Sequence, residues 1–296
     1  MSSSATVCVP ASSANLGPGF DSIGIALDIF DTVTARLVDT PGVRVTITGN
    51  GADTLAHDAG HLVAQVFLIA AGQFGLHVEG LELECVNQIP QGRGLGSSAS
   101  AIIAGLVLAR ELSGADISQE RLLQLANVIE GHADNISACL LGGLTVATWE
   151  NLDDVQAVSL AVHPTVVAVV GIPASELSTE KARGLLPDEV PYAAAVHNAS
   201  RAAMLVAALT QRPDMLLAAT SDQLHQNYRR AAYPDSLNLV DTLRSSGFAA
   251  AISGAGPSVL VLTTIDRADA AGAVILQAGF ESRQVGICAQ GATIQG

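Results

Sequence analysis

The sequence predicts an α+β fold in two parts, and three observations carry that expectation. Strand-like stretches and helical periodicities mix without the strict strand-helix-strand alternation of a doubly wound sheet. A short polar stretch, residues 150–154, divides the chain into candidate domains 1–153 and 154–296. A glycine-serine loop joins an alternating strand to a helix too apolar to be exposed. With 296 residues, 49% of them apolar, the chain is long enough for two modest domains or one large one.

Each element has a local cause. Residues 6–9 read as a strand, and residues 10–21 as a loop full of turn residues. Residues 31–38 and 43–48 alternate and are separated by Thr40-Pro-Gly, which suggests an antiparallel pair. Residues 61–74 read as a helix stopped by Gly75. Residues 81–89 alternate again and lead into the glycine-serine loop, and the helix after it starts near Ser97 or Ser98. Past Gly114, Ser118 caps a helix over 121–129. A polar cluster, residues 130–135, precedes a short helix at 136–141 and a strand at 144–149.

In the second half, strands are expected at 157–162 and 166–171, then helices at 178–186, 191–211, 214–224 and 236–246. A hairpin of 249–253 with 259–263, a helix at 267–278 and a strand at 281–288 complete the chain. No internal repeat is visible.

Composition excludes several functions. A formal net charge of −14 argues against general nucleic-acid binding, which needs a basic footprint, and against an anionic membrane. An acidic chain can still bind ATP through a divalent cation or a locally positive site. Cys8, Cys85, Cys139 and Cys288 are scattered and form no C-x-x-C pair, as expected of free thiols in a reducing compartment. The N-terminus has no basic region followed by an apolar core. The longest apolar runs, such as 101–109, fall short of the roughly twenty residues of a membrane span. The expectation is a soluble cytoplasmic protein.

The loop is Pro90, Gln91, Gly92, Arg93, Gly94, Leu95, Gly96, Ser97, Ser98, Ala99 and Ser100. Its three glycines let the backbone turn tightly and approach a ligand. Free N–H groups and about half a unit of positive charge at a helix start suit phosphate. The simpler alternative is a serine cap after a flexible loop. The loop is not a Walker A loop: no lysine follows it, and the chain's single lysine is Lys181. Its G-x-G-x-G-S-S spacing also departs from the dinucleotide fingerprint. If it holds nucleotide, it does so with amides, hydroxyls and magnesium.

Three segments, residues 10–21, 90–100 and 253–258, resemble in order and spacing the three motifs of the GHMP small-molecule kinases. Residues 9–27, VPASSANLGPGFDSIGIAL, resemble the first motif of the homoserine kinases in particular. Glu130-Gly-His-Ala-Asp-Asn resembles their E-G-H-P-D-N, with alanine in the proline position. Ser178-Thr-Glu-Lys-Ala-Arg and Tyr228-Arg are similar to their pattern too. The resemblance spans nearly the whole chain. It implies an N-terminal domain like the second domain of ribosomal protein S5, a ferredoxin-like C-terminal domain and a homodimer. The implied activity is ATP-dependent phosphorylation of L-homoserine to O-phospho-L-homoserine, on the route to threonine. Alternatives are another small-alcohol kinase of the superfamily, or a regulator that binds nucleotide without catalysis.

The chemistry of a zwitterionic alcohol assigns roles within that resemblance. Asp21 takes the ammonium, and Arg183 with Arg229 clamps the carboxylate in the fork geometry arginine favours, with Arg230 a rival to Arg229. Asn15 and Asn135 hold the hydroxyl, and His132 donates to substrate or orients its neighbours. Ser98 and Glu130 resemble the family's magnesium ligands. Asp134 is either a general base or a helix cap; in-line transfer with no dedicated base is the adopted reading. Gly254 and Gly256 let the third segment approach the loop and shape the substrate pocket, or simply make a tight turn. The adenine pocket is expected along residues 50–62, with no residue singled out.

Overall fold

The computed structural model describes residues 3–295. In chain order the elements are β1 (Ser4–Asn15), β2 (Gly19–Val38), β3 (Gly42–Gly49), α1 (Leu62–Gln73), β4 (Gly80–Asn87), α2 (Ser97–Ser113), α3 (Gln119–Glu130), α4 (Ala133–Leu141), β5 (Leu144–Trp149) and β6 (Val155–Leu160). They are followed by β7 (Val166–Ile172), α5 (Thr179–Arg183), α6 (Tyr192–Thr210), α7 (Leu216–Ala219), α8 (Pro234–Ser245), β8 (Ala249–Ile252), β9 (Val259–Thr264), α9 (Ala268–Gln277), β10 (Glu281–Val285) and β11 (Thr293–Gln295).

A seven-stranded sheet runs β11-β1-β2-β4-β3, with β5 paired to β2 and β6 to β5. A four-stranded antiparallel sheet runs β10-β7-β9-β8. The second sheet, with helices between β7 and β8 and between β9 and β10, has the ferredoxin-like order. The chain leaves the first sheet after Leu160 and enters the second at Val166, and β11 returns to the first.

The turn-rich segment 10–21 is not the loop expected of it. β1 runs through to Asn15 and β2 begins at Gly19. Its small side chains explain the difference: Ala11, Ser12 and Ser13 are wholly buried, and both hydroxyls find partners, at Asn135 and Ser253. Turn formers serve here as strand residues narrow enough to be covered on both faces.

The expected pairing of 31–38 with 43–48 is also corrected, because β4 lies between them, antiparallel to β2 and parallel to β3. The connecting turn passes over the start of β4, where a Cβ on Gly80 would lie 1.9 Å from the Thr40 carbonyl oxygen. Glycine there lets β4 slide beneath the turn.

The helix expected at 214–224 is only a 3₁₀ turn, Pro213–Met215, and the single turn α7. Beyond it the buried Asp222 carboxylate accepts the N–H groups of Leu224, His225 and Gln226 and the amide of Asn198. A side chain that satisfies backbone donors in this way competes with the helix.

One core lies between the first sheet and α1–α4. A second joins the halves: Leu16, Ile25 and Leu27 of the β1–β2 hairpin region pack with Val170, Leu205 and Leu260. A third fills the far side of the second sheet against α8 and α9. The apolar junction fixes the β1–β2 turn against the second half, and the site lies there. No helix of the described residues is long and apolar enough to cross a membrane. The four cysteines are free.

Candidate active site

Gly96 caps α2 in the left-handed region at φ 74°, and Gly92 and Gly94 have φ 61° and 71°. Two of these positions admit no side chain. A Cβ on Gly96 would lie 2.0 Å from Ser12 Oγ, and one on Gly94 2.3 Å from the Ser253 carbonyl oxygen. The loop is thus pressed between β1 and the β8–β9 connection. Ser12 N–H donates to the Leu95 carbonyl, 3.1 Å, and Ser253 Oγ to the Gly94 carbonyl, 2.6 Å. Arg93, the loop's one cation, points elsewhere: it donates to the carbonyls of Pro173 and Ala174 and meets Glu176 at 3.4 Å. The three segments singled out in the sequence meet at this helix tip.

Two cavities of about 260 Å³ each flank the tip and share Ser97 and Ser98. The first is lined by Gly92, Gly94 and Gly96 and by the residues expected to hold substrate. The second is lined by Gln91, Ser100, Asp31, Leu55 and His61. There, Ser100 Oγ and His61 Nδ1 are buried without a protein partner. Asp31 accepts the N–H groups of Gln88 and Ile89 at 2.8 and 2.9 Å, setting the approach to the loop. Burial pushes its carboxyl up to about 6, against those two bonds. Pro90, Leu95 and Ala99 line neither cavity, and Leu95 and Ala99 are core residues.

In the first cavity Asp21 and Arg183 form a two-armed ion pair, Nη1 to Oδ2 at 3.0 Å and Nη2 to Oδ1. Asp21 sits at φ 54°, its N–H held by Asn15 Oδ1 at 3.0 Å. Arg229 is 1% exposed. Its Nε donates to the Ala182 carbonyl, 3.0 Å, and its Nη1 faces His225 Nδ1 at 3.3 Å. His225 Nε2 lies 2.7 Å from the Gly17 carbonyl. Since a carbonyl only accepts and a guanidinium only donates, His225 is the neutral Nε2–H tautomer; burial lowers its pKa. Both guanidinium carbons lie over the Phe20 ring, 5.6 Å from its centroid for Arg183 and 5.5 Å for Arg229. Among the described residues Arg229 has no carboxylate within salt-bridge distance, whereas Arg230 pairs at the surface with Asp241, 3.0 Å away.

The polar cluster 130–135 spans the end of α3 and the start of α4. Glu130 Oε2 accepts from Ser98 Oγ at 2.9 Å. Burial raises the Glu130 pKa, with the Ser98 bond and Arg183 opposing. Ser98 and Glu130 together offer a hydroxyl and a carboxylate at the shared mouth, the hard oxygen donors magnesium prefers. His132 precedes α4 with Nδ1 4.0 Å from Glu130 Oε1, and burial, then Arg183, lowers its pKa. Asp134 is 2% exposed, and burial first, then Asp21, raises its carboxyl to about 7. Its Oδ1 accepts the Asn135 N–H at 2.7 Å. Asn135 Oδ1 accepts from Ser12 Oγ at 2.9 Å and its Nδ2 donates to Asp134 Oδ1 at 3.5 Å, which leaves one amide hydrogen for the cavity it lines.

Asn15 is 3% exposed at φ 68°. Its Nδ2 donates to the Gly254 carbonyl, 2.9 Å, so its amide bridges the first and third segments. Gly254 and Ala255 line the cavity; Gly256 does not, and a Cβ there would lie 2.9 Å from Tyr233 Cε1.

Sequence reasoning missed Phe20 and His225 as supports of the arginines, and Asp31 and Asn87 in the second cavity; Leu55 and His61, which line that cavity, fall within the 50–62 stretch expected there, where no residue was singled out. Phe20 lies within the motif-like residues 9–27, beside Asp21, and that position is its sequence signal. The others carry no local signal, because only the tertiary fold brings Asp31 and Asn87 of β2 and β4 to the α2 tip and His225 to Arg229.

Residues 61–143 match the GHMP kinases N terminal domain, and residues 204–281 match GHMP kinases C terminal. A homoserine kinase of Streptomyces coelicolor is 46% identical over 291 residues, covering 97% of this chain and 93% of that protein. One from Cutibacterium acnes is 46% identical over 271 residues, covering 90% of this chain and 91% of its own. The crystal structure of homoserine kinase from Cytophaga hutchinsonii superposes with a TM-score of 0.88 at 29% identity, covering 100% of this chain and 98% of that one. With the glycine-serine helix tip, the Asp21–Arg183 pair and the E-G-H-x-D-N cluster gathered at one cavity, these matches establish that the chain belongs to the GHMP kinases, in the homoserine kinase family.

Proposed function

We propose that this chain transfers the γ-phosphoryl group of ATP to the hydroxyl of L-homoserine, giving O-phospho-L-homoserine. The observation that carries the reading is Arg229: a buried guanidinium lining the cavity, with no carboxylate within salt-bridge distance among the described residues, beside an acid-base pair and next to a helix tip. A buried cation without a counter-charge is costly, and a substrate carboxylate supplies that charge. The substrate ammonium goes to Asp21, and its carboxylate to Arg183 and Arg229.

The amides and hydroxyls of the α2 tip take the triphosphate, and the second cavity takes the nucleoside, where His61 and Ser100 offer unsatisfied polar atoms to a base or ribose. Ser98 and Glu130 hold magnesium, which when bound neutralises charge on the phosphate oxygens. Asn135 donates its remaining amide hydrogen to the substrate hydroxyl, and Asn15 fixes the two segments around it. No dedicated base is assigned: alignment and charge stabilisation carry the step, and the hydroxyl proton leaves to a phosphoryl oxygen. A homodimer and a cytoplasmic location belong to the same proposal and rest on the family likeness alone.

The test is ADP release with L-homoserine, mevalonate and galactose as acceptors, each with and without magnesium. Turnover confined to L-homoserine with magnesium is expected. Equal or greater turnover of another alcohol overturns the choice of acceptor.

A further inference from the structure

We propose that the Asp21–Arg183 pair is a selectivity device that admits only alcohols carrying both an ammonium and a carboxylate, a proposal that rests on the substrate reading above. The group that would bind the ammonium and one of the two that would bind the carboxylate bind each other. Both arms of the fork are used. The pair ties the first half of the chain, at the start of β2, to the second, at the end of α5. It is not a free surface pair: the side chains are 19% and 33% exposed, and Arg183 Nε is buried without a partner. Asp21 is held at a left-handed φ by Asn15, and Arg183 lies over Phe20, so neither charge has a second acid or base within salt-bridge distance among the described residues.

The pair is an internal mimic of the zwitterion. A ligand with both charges separates it and re-pairs each member at once, so no half-buried charge is left alone. A ligand with a carboxylate only can take Arg183, but it then leaves Asp21 uncompensated. An aminoalcohol without a carboxylate does the converse. Each single-charge alcohol therefore suffers twice: it lacks one contact, and it strands a protein charge that was paired before it arrived. Removing one partner of a charged, partly buried pair leaves the other's desolvation unanswered. Rejection of this kind comes from a repulsive element, not only from missing attraction. Arg229, with no acidic partner among the described residues, stays available to the carboxylate throughout.

The distinguishing experiment looks for gained affinity. γ-Hydroxybutyrate is L-homoserine without its ammonium, and aminopropanol is L-homoserine without its carboxylate. Dissociation constants for both are measured by titration calorimetry on the wild type, Asp21→Asn and Arg183→Gln. Magnesium-ATP binding and circular dichroism confirm that each variant is folded. Asp21→Asn frees Arg183 and is expected to bind γ-hydroxybutyrate about tenfold or more tightly than the wild type does. Arg183→Gln frees Asp21 and is expected to gain similarly toward aminopropanol, and it carries the test if the first variant does not fold. Both variants lose affinity for L-homoserine. Unchanged or weaker binding of the single-charge alcohols, in a protein whose wild type turns over L-homoserine, overturns the device and leaves the activity standing. A wild type inert toward L-homoserine overturns both.

Discussion

Ser98, in the first turn of α2, donates to Glu130, the last residue of α3, across 2.9 Å. The bond places a hydroxyl and a carboxylate side by side where the two cavities join. Burial raises the Glu130 pKa, so its charge is costly without a cation nearby. Glu130→Gln keeps the Ser98 contact and removes the charge. The expected result is a rise of about tenfold or more in the magnesium concentration that half-saturates turnover, with a smaller change in homoserine KM. A magnesium titration of initial rates checks it; an unchanged magnesium requirement places the ion elsewhere.

Arg229 is expected to act mainly in binding. Losing a charge-assisted hydrogen bond costs about 1.5–3 kcal/mol, so Arg229→Gln should raise the homoserine KM by about 10- to 100-fold. The ATP KM should change little, because the residue lines the first cavity and not the second. Steady-state kinetics with each substrate varied in turn make the comparison, and equal effects on both constants would contradict it.

Asp134→Asn is expected to retain substantial turnover, since alignment carries the step. A loss of kcat of order 10⁴ with homoserine affinity intact would instead identify a general base. The same variant has a stability signature. The Asp134 carboxyl is raised from 3.8 to about 7, chiefly by burial, so the folded chain keeps a proton that the unfolded chain releases. That contribution to stability is full below about 4 and is lost as pH rises through about 7. Asparagine does not titrate. The melting temperature of the variant should therefore gain on that of the wild type between about pH 4 and pH 8.

Gly96→Ala tests the phosphate cradle. The added Cβ meets Ser12 Oγ at 2.0 Å, and the left-handed φ of 74° strains any L side chain by about 1–2 kcal/mol. Ser12 is also the residue that holds Asn135. Lower melting temperature and ATP affinity weakened about tenfold or more are expected. Adding Ser12→Ala should recover part of the melting temperature by removing the hydroxyl in conflict. No recovery would show that backbone strain, not the contact, sets the cost.

The fold was legible where pattern and packing agree. The α2 helix, the Ser118 cap and the β8–β9 hairpin follow from apolar density, a capping serine and glycine punctuation. Residues 10–21 misled because Ser12 and Ser13 look like turn residues until their buried partners, Asn135 and Ser253, are known. The position of β4 between β2 and β3 depends on a clash at Gly80 that no local pattern contains. In the site, the sequence marks Asp21 and Arg183 separately; that they pair with each other across 162 positions is tertiary information. Arg229 and Arg230 are neighbours in sequence, and only burial tells the cavity guanidinium from the surface one.

The most direct measurement is the phosphorus NMR spectrum of the reaction with L-homoserine and magnesium-ATP. The account predicts that the γ-phosphate signal falls as one phosphomonoester signal grows, coupled to the terminal methylene of homoserine, with ADP formed in equal amount. ADP accompanied only by inorganic phosphate, or an unchanged ATP spectrum at saturating acceptor, would contradict it.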